Sequence, residues 1–337
     1  MSSSPVLSKS IWNENPTFYI WTRQHIFGLF TFLYPLTYYV VLFKTPKNFG
    51  SLKWFLVFHI FSITCQWLCS FLLVNFYTFV PSKITRIDGL LIDFIDINTL
   101  FTSMYVVYSL ASSSCLLLFC NRILSILNMY RKSKTCIRRF FELILYIFVF
   151  LFPNIMFYGF QIPDQSSIKE MTKQISPYYP DCIDNPNIIV FISPDTEKQK
   201  KSLIFYLIYL LSLAIASILS AQFAYFLLSK RMTNQSEKTR KMHQKFNRRT
   251  LFQVLIDTSF TSIPFTISNM VTLFRWRVPE LTYFVDFTSK SGSTACIFVL
   301  FLYYEPYQKW LLEVFRLKSR RNSVRHVTTI VNKSADI

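Results

Sequence analysis

Glycine is scarce in this chain, with 5 positions among 337, and charged residues make up only 16%. Ordinary soluble domains carry about a quarter charged residues, so the composition argues against a fold that lives wholly in water. Catalytic signatures are missing as well. The chain has no GxGxxG, no GxxxxGK[ST], no HExxH and no GxSxG, and its acids are too scattered to form a hydrolytic pair. The expectation is a protein that is not an enzyme. Seven cysteines are present, but there is no CxxC and no His/Cys cluster with zinc spacing, so neither a metal nor another cofactor is expected. Their odd number leaves at least one unpaired, and most sit in apolar runs, where a thiol behaves as a small buried hydrophobe.

What the chain does contain is apolar mass: 52% hydrophobic residues, 36 of them Phe. Seven stretches can be drawn, at 18–43, 54–79, 97–127, 140–160, 203–229, 251–274 and 281–304. Each is near or above the roughly 20 residues that cross a hydrocarbon core. Each must be helical, because a backbone facing lipid has to satisfy its own hydrogen bonds. The expected fold is therefore an all-α membrane protein, a seven-transmembrane helix bundle spanning 18–304, with a polar N-terminus before it and a tail at 305–337. The polar segment 1–17 lacks the apolar run of a cleaved signal, so the first span is expected to act as the targeting signal. Pro35, Pro153 and Pro264 fall inside spans as kinks, and Trp54, Trp276 and Trp310 mark span ends. The segment 161–201 reads as the longest loop. No internal repeat supports an inverted-repeat transporter.

The net charge of +18 has a topological reading. The first, third and fifth loops and the tail hold 24 Lys and Arg, and the opposite side holds 10. The positive-inside rule then puts the N-terminus outside and the basic tail in the cytoplasm. No basic soluble domain is left over, so no nucleic-acid partner is expected; the lipid bilayer is. With this orientation no N-x-[ST] acceptor faces outward, since Pro16 blocks the one at Asn15.

Ionisable groups inside a membrane are costly and default to functional hypotheses. Asp286 and Lys290 lie four apart in the seventh span and share a helix face, so they form a structural pair or a ligand or gating site. Asp257 lies near the cytoplasmic end of the sixth span, as a lock or an activation switch. His59 reads as a satisfied core histidine, with a pH or ligand role as the alternative. Asn121 and Arg122 end the third span at the cytoplasmic face, where an Arg either engages a G protein or simply anchors the helix.

Several strings, in order along nearly the whole chain, resemble the nematode serpentine chemoreceptors, class H of the Str superfamily, with class I as a close sister. They are TPKNFGSLKWFLVFHI with Thr45, Pro46 and His59; FCNRILSI around Asn121 and Arg122; QIPDQ at 161–165 followed by NIIVFISPD; KTRKMHQKFNRRTLFQVLID entering the sixth span; and EPYQ with Pro306 and Tyr307. The resemblance implies a G-protein-coupled receptor in the ciliary membrane of chemosensory neurons, serving olfaction. The chain departs from the family in having Cys120 where an acid commonly precedes Asn-Arg, and Glu305 and Gln308 where basic residues often flank Pro-Tyr. It also lacks the rhodopsin-like Asp-Arg-Tyr and Asn-Pro-x-x-Tyr, and Cys182 has no cysteine partner at the outer end of the third span.

The implied mechanism places a small-molecule ligand among spans three, five, six and seven, under the long loop, with Tyr105, Tyr108, Gln222, Asn269, Asp286 and Lys290 as candidate contacts. A heterotrimeric G protein would meet Arg122 and the fifth loop, including Lys245, Arg248 and Arg249, with Asn121, Asp257, Pro306 and Tyr307 in the switch. The same basic loop also suits anionic lipid. The alternatives are a ligand-gated channel of the seven-helix odorant-receptor type, which has its N-terminus inside, and a transporter. An N-terminal epitope tag is expected to label on intact cells; labelling only after permeabilisation would reverse the orientation and remove the receptor reading.

Overall fold

The computed structural model describes residues 10–45, 52–128, 164–191, 196–231 and 251–314, apart from single positions at 177, 253, 257, 275 and 304, and scattered positions between 139 and 151. Five helical runs among these are long and apolar enough to cross a membrane: Thr17–Lys44, Lys53–Leu73, Ile97–Asn121, Leu203–Leu227 and Leu281–Leu302. The expected fourth span lies mostly outside the described residues, as do the fifth loop with Lys245, Arg248 and Arg249, and the tail beyond 314.

The first run is two helices, α1 (Thr17–Leu29) and α2 (Leu33–Lys44). Between them the backbone tightens: Phe30 N–H donates to Phe27 O and Thr31 N–H to Gly28 O, both at 3.1 Å. Pro35 has no N–H to give the Thr31 carbonyl, so the ordinary helical ladder is interrupted there. Helix α3 (Leu52–Leu68) runs into a π-helical turn, Cys69–Leu73, and stops where Val74 turns extended. The expected second span, 54–79, is thus too long by its last residues. Asn75–Phe79 is a strand, β1, whose burial alternates residue by residue. The apolar run is continuous through Phe79, so hydropathy marks no boundary; the change from helical to two-residue periodicity does.

Helix α4 (Ile97–Asn128) is the third span. The segment 161–201, expected as a loop, carries a helix α5 (Gln165–Ile175), a short 3-10 turn at Asp181–Asp184 and a strand β3 (Ile188–Val190). Asp164 caps α5, accepting from Ser167 N–H at 3.1 Å. Helix α6 (Thr196–Arg231) is the fifth span. The sixth contains a π-helical turn, Thr258–Ser262, just before α7 (Ile263–Leu273). Pro264 sits in the first turn of α7, where its missing N–H is absorbed by the wider π turn. Helix α8 (Leu281–Tyr303) is the seventh span, followed by α9 (Glu305–Val314).

The bundle is two-faced, as lipid requires. On α6, Ile204, Ile208, Leu211, Ile215 and Leu219 recur at helical spacing and are exposed, whereas Tyr209, Leu210, Leu213 and Ala224 are buried against Leu116, Cys120 and Ile123 of α4. An apolar stripe of this kind facing outward suits hydrocarbon and not water. A second core joins α2, α3, α4 and α8 through Val40, Val41, Ile60, Ile63, Ile297 and Leu300. Gly292 lets α8 lie close to the π turn, because a Cβ there would sit 3.4 Å from Phe260 Cβ.

One end of the bundle bears a cap. Strand β1 pairs antiparallel with β2 (Ile84–Asp88), and β2 with β3, giving the order β1-β2-β3. The cap has its own apolar core of Trp12, Phe79, Ile84, Ile168, Ile183 and Ile188. The N-terminal segment straps it down. Trp12 Nε1 donates to Val80 O at 2.7 Å, Arg86 Nη1 donates to Glu14 O at 3.0 Å, and the Glu14 carboxylate accepts from the Cys182 N–H at 3.0 Å. Burial opposes the charge on Glu14, but these backbone N–H groups from 181 and 182 outweigh it and hold the carboxyl below its ordinary value.

Gly89 returns the chain from β2 toward α4 at φ +134°, and an added Cβ would lie 2.6 Å from Leu73 O. Gly89→Ala is expected to cost about 1–3 kcal/mol through backbone strain. It should lower the melting temperature of the detergent-solubilised protein, and an unchanged melt would contradict this close approach.

Candidate functional site

Beneath the cap lies a cavity of about 140 Å³. Its walls come from the β1–β2 hairpin, α4, α6, α7 and α8. Aromatic and apolar groups dominate one side, with Phe76, Phe101, Met104, Phe191, Tyr206 and Phe265. Polar groups gather where the hairpin meets α7 and α8: Lys83, Ser268, Asn269, Thr282, Asp286 and Lys290. A mostly apolar enclosure with a few convergent polar groups is the form of a small-molecule site.

The electrostatic centre of the molecule forms part of that wall. Asp286 accepts hydrogen bonds from Tyr19 OH at 2.7 Å and from Lys290 Nζ at 2.6 Å, and it is ion-paired with Arg23 of α1. Arg23 also donates to Asn75 Oδ1 at the start of β1. Lys290 Nζ further donates to Asn75 Oδ1 at 3.1 Å and to Phe76 O at 2.7 Å. Arg23, Asp286 and Lys290 are 3%, 8% and 5% exposed, so the cluster holds two buried cations against one carboxylate. Such a group survives burial only because nearly every donor and acceptor is paired. It fastens α1, α8 and β1 at one point.

The hairpin tip delivers a third cation. Val80–Lys83 forms the turn between β1 and β2, and Lys83 adopts φ +57°, the left-handed region that is strained for a residue with a side chain. Its Nζ donates to Ser268 Oγ of α7 at 2.8 Å. Thr282 Oγ1 of α8 accepts from Val80 N–H at 3.1 Å on the same turn. A hairpin tip ordinarily faces solvent; this one sends its lysine to the bundle. Burial pushes the Lys83 ammonium down to about 7. The amine therefore carries charge below neutrality and loses it as the pH rises through that value.

Of the residues expected to contact ligand, Tyr108, Asn269, Asp286 and Lys290 share this cavity. Tyr108 OH and Ser70 Oγ are 2.8 Å apart. Gln222 does not belong with them: it lies on an exposed face of α6, its neighbour Ala221 being the buried one. One residue of helical phase, about 100°, is enough to turn a side chain out of the bundle. Tyr105 lies in α4, its side chain outside the described residues, as do those of Arg122 and Pro306; Asp257 lies outside them altogether. Asn121 is buried at 9% exposure. Tyr307 is buried and meets Thr45 Oγ1 at 2.8 Å, joining α9 to the end of α2. His59 Nδ1 meets Ser114 Oγ at 2.7 Å, tying α3 to α4 as a core histidine does.

Sequence reasoning missed Arg23, Asn75 and Lys83. Arg23 could have been found, since it is a charge inside the first span and falls under the same rule that singled out Asp286. Asn75 and Lys83 could not, because their roles depend on the hairpin folding inward. Asp286→Ala would leave Arg23 and Lys290 side by side without a counter-charge, at a cost of about 3–5 kcal/mol. The expected result is a marked loss of thermal stability in detergent, partly recovered when Arg23→Met is added; a wild-type melt for the single variant would show the cluster to be dispensable.

Comparison with protein-family models finds a match to the serpentine-type seven-transmembrane GPCR chemoreceptor Srh over residues 14–317, from the N-terminal strap to just past α9. No curated protein matches the chain. The matched region takes in the cap, the cavity, the charged cluster and every described membrane helix, and the chain belongs to the Srh family of serpentine seven-transmembrane chemoreceptors.

Proposed function

We propose that the cavity is the ligand site of this chemoreceptor, and that a small molecule bound there changes the bundle's coupling to a heterotrimeric G protein. The observation that carries the reading is that Asp286 and Lys290 are at once cavity wall and part of the ionic cluster joining α1, α8 and β1. A ligand that competes for either group alters a junction of three elements. An equilibrium between bundle conformations shifts only by the difference in ligand affinity for the two, and a contact to such a junction provides one. The orientation adopted is cap outside and Arg122 inside, with the plasma membrane as the site of action and the ciliary membrane of sensory neurons as the specific location.

At the inner end, the proposed coupling surface comprises Asn121 and Arg122 at the end of α4, with Lys245, Arg248 and Arg249 of the fifth loop. Asp257, Pro306 and Tyr307 belong to the switch. The contact of Tyr307 with Thr45 gives α9 a fixed seat against α2, from which a displaced sixth helix could be sensed. Pro264 and the π turn before it supply a bend in that helix.

The test is a panel of small odorants applied to receptor-expressing cells with a calcium readout. A compound that activates wild type is expected to lose its effect on Ser112→Phe, which fills the cavity from α4, and on Arg122→Ala, both at normal surface levels. A response that survives both substitutions, or an ionic current that persists without G proteins, would overturn this reading in favour of another site or of a channel.

A further inference from the structure

The charges around the cavity do not balance. Lys83, Lys290 and Arg23 supply three cations, and Asp286 is the single carboxylate that meets them. That carboxylate is fully engaged, with Arg23, Lys290 and Tyr19 all on it. Lys83 is a separate matter. Among the described residues its ammonium has the Ser268 hydroxyl as hydrogen-bond partner and forms no ion pair. Beside Ser268 stands Asn269, 4% exposed, which also lines the cavity and whose Nδ2 has no hydrogen-bond partner. A buried amide N–H without an acceptor costs about 1–3 kcal/mol. The chain therefore holds two donors, one of them cationic, at one end of an otherwise aromatic space. The left-handed backbone at Lys83 is the means by which the hairpin brings its amine there.

Resting on the reading of the cavity as a ligand site, we propose that it recognises a compact carboxylic acid, with the carboxylate held by Lys83 and Asn269 and the apolar body packed among Phe101, Met104, Phe191 and Phe265. The carboxylate answers both open needs: it supplies the negative charge that Lys83 lacks and the acceptor that Asn269 lacks. A charge-assisted hydrogen bond in a water-poor site is stronger than a neutral one. Burial favours the neutral amine in the empty cavity, and a bound anion holds the proton on. The volume of about 140 Å³ sets the size of the body. A cavity of roughly 150 Å³ in another protein accommodates benzene, so the fitting acids are of the scale of benzoic, phenylacetic or hexanoic acid.

The experiment is direct binding to the purified full-length receptor in detergent, read as thermal stabilisation and competition. Benzoic, phenylacetic and hexanoic acids are compared with their primary amides. At least one acid is expected to bind at least tenfold more tightly than its amide. Lys83→Gln should abolish that preference, Lys83→Arg should keep most of it, and Asn269→Leu should weaken the acid by severalfold. Melting temperatures without ligand show that each variant is folded. Equal binding of acids and amides, binding of none of the acids, or an acid preference untouched by Lys83→Gln would each overturn the proposal. The signalling assay is read separately. Lys83-dependent acid binding without G-protein activation leaves this inference standing and removes the receptor mechanism; activation by neutral compounds that ignores Lys83 does the reverse.

Discussion

The structure hangs on one buried carboxylate. Asp286 draws Arg23 out of the first helix, Lys290 from one turn along its own helix, and through both of them Asn75 at the point where helix α3 has given way to strand β1. Without it, two desolvated cations would face each other in the middle of the bundle. With it, the first and seventh membrane helices and the root of the hairpin are held in one geometry. The hairpin is then positioned to reach over the bundle, and the cap, the strap and the cavity roof follow from that placement.

The cap is an independent construction on top of this junction. Its core of Trp12, Phe79, Ile84, Ile183 and Ile188 is distinct from the helical cores. Its attachment to the bundle is mainly polar and local, through Thr282, Ser268 and the Asn75 junction. The N-terminal segment closes it with Trp12 and Glu14, which reach opposite edges of the same small sheet. Receptor, membrane protein and chemosensory family are settled by the match over 14–317; the molecular account of that role rests on this seam between cap and bundle.

Much of the bundle was legible in the sequence, because crossing a membrane imposes length and hydropathy directly. Helices α4, α6 and α8 fall close to the expected third, fifth and seventh spans. The pair Asp286 and Lys290 was visible from spacing alone, and so was a pocket among those helices. The cap was not. Asn75–Phe79 is as apolar as the helix before it, and strand β3 is three residues inside a proline-rich segment. Their pairing is a long-range choice that local periodicity does not encode. Gln222 failed as a ligand contact because its side of α6 depends on helix phase. Lys83 was counted only as an outward loop charge, although the turn folds it inward.

The separation of the two cores has a bearing on how such a protein can change over generations. Residues at the seam, such as Lys83, Ser268, Asn269 and Thr282, belong to neither the cap's apolar core nor the helical ones. Exchanging one of them rewrites what the cavity attracts while both packed interiors stay as they were. A gene duplicate can therefore drift to a new odour through a few substitutions along one line of contact, with the bundle that reports it left in working order.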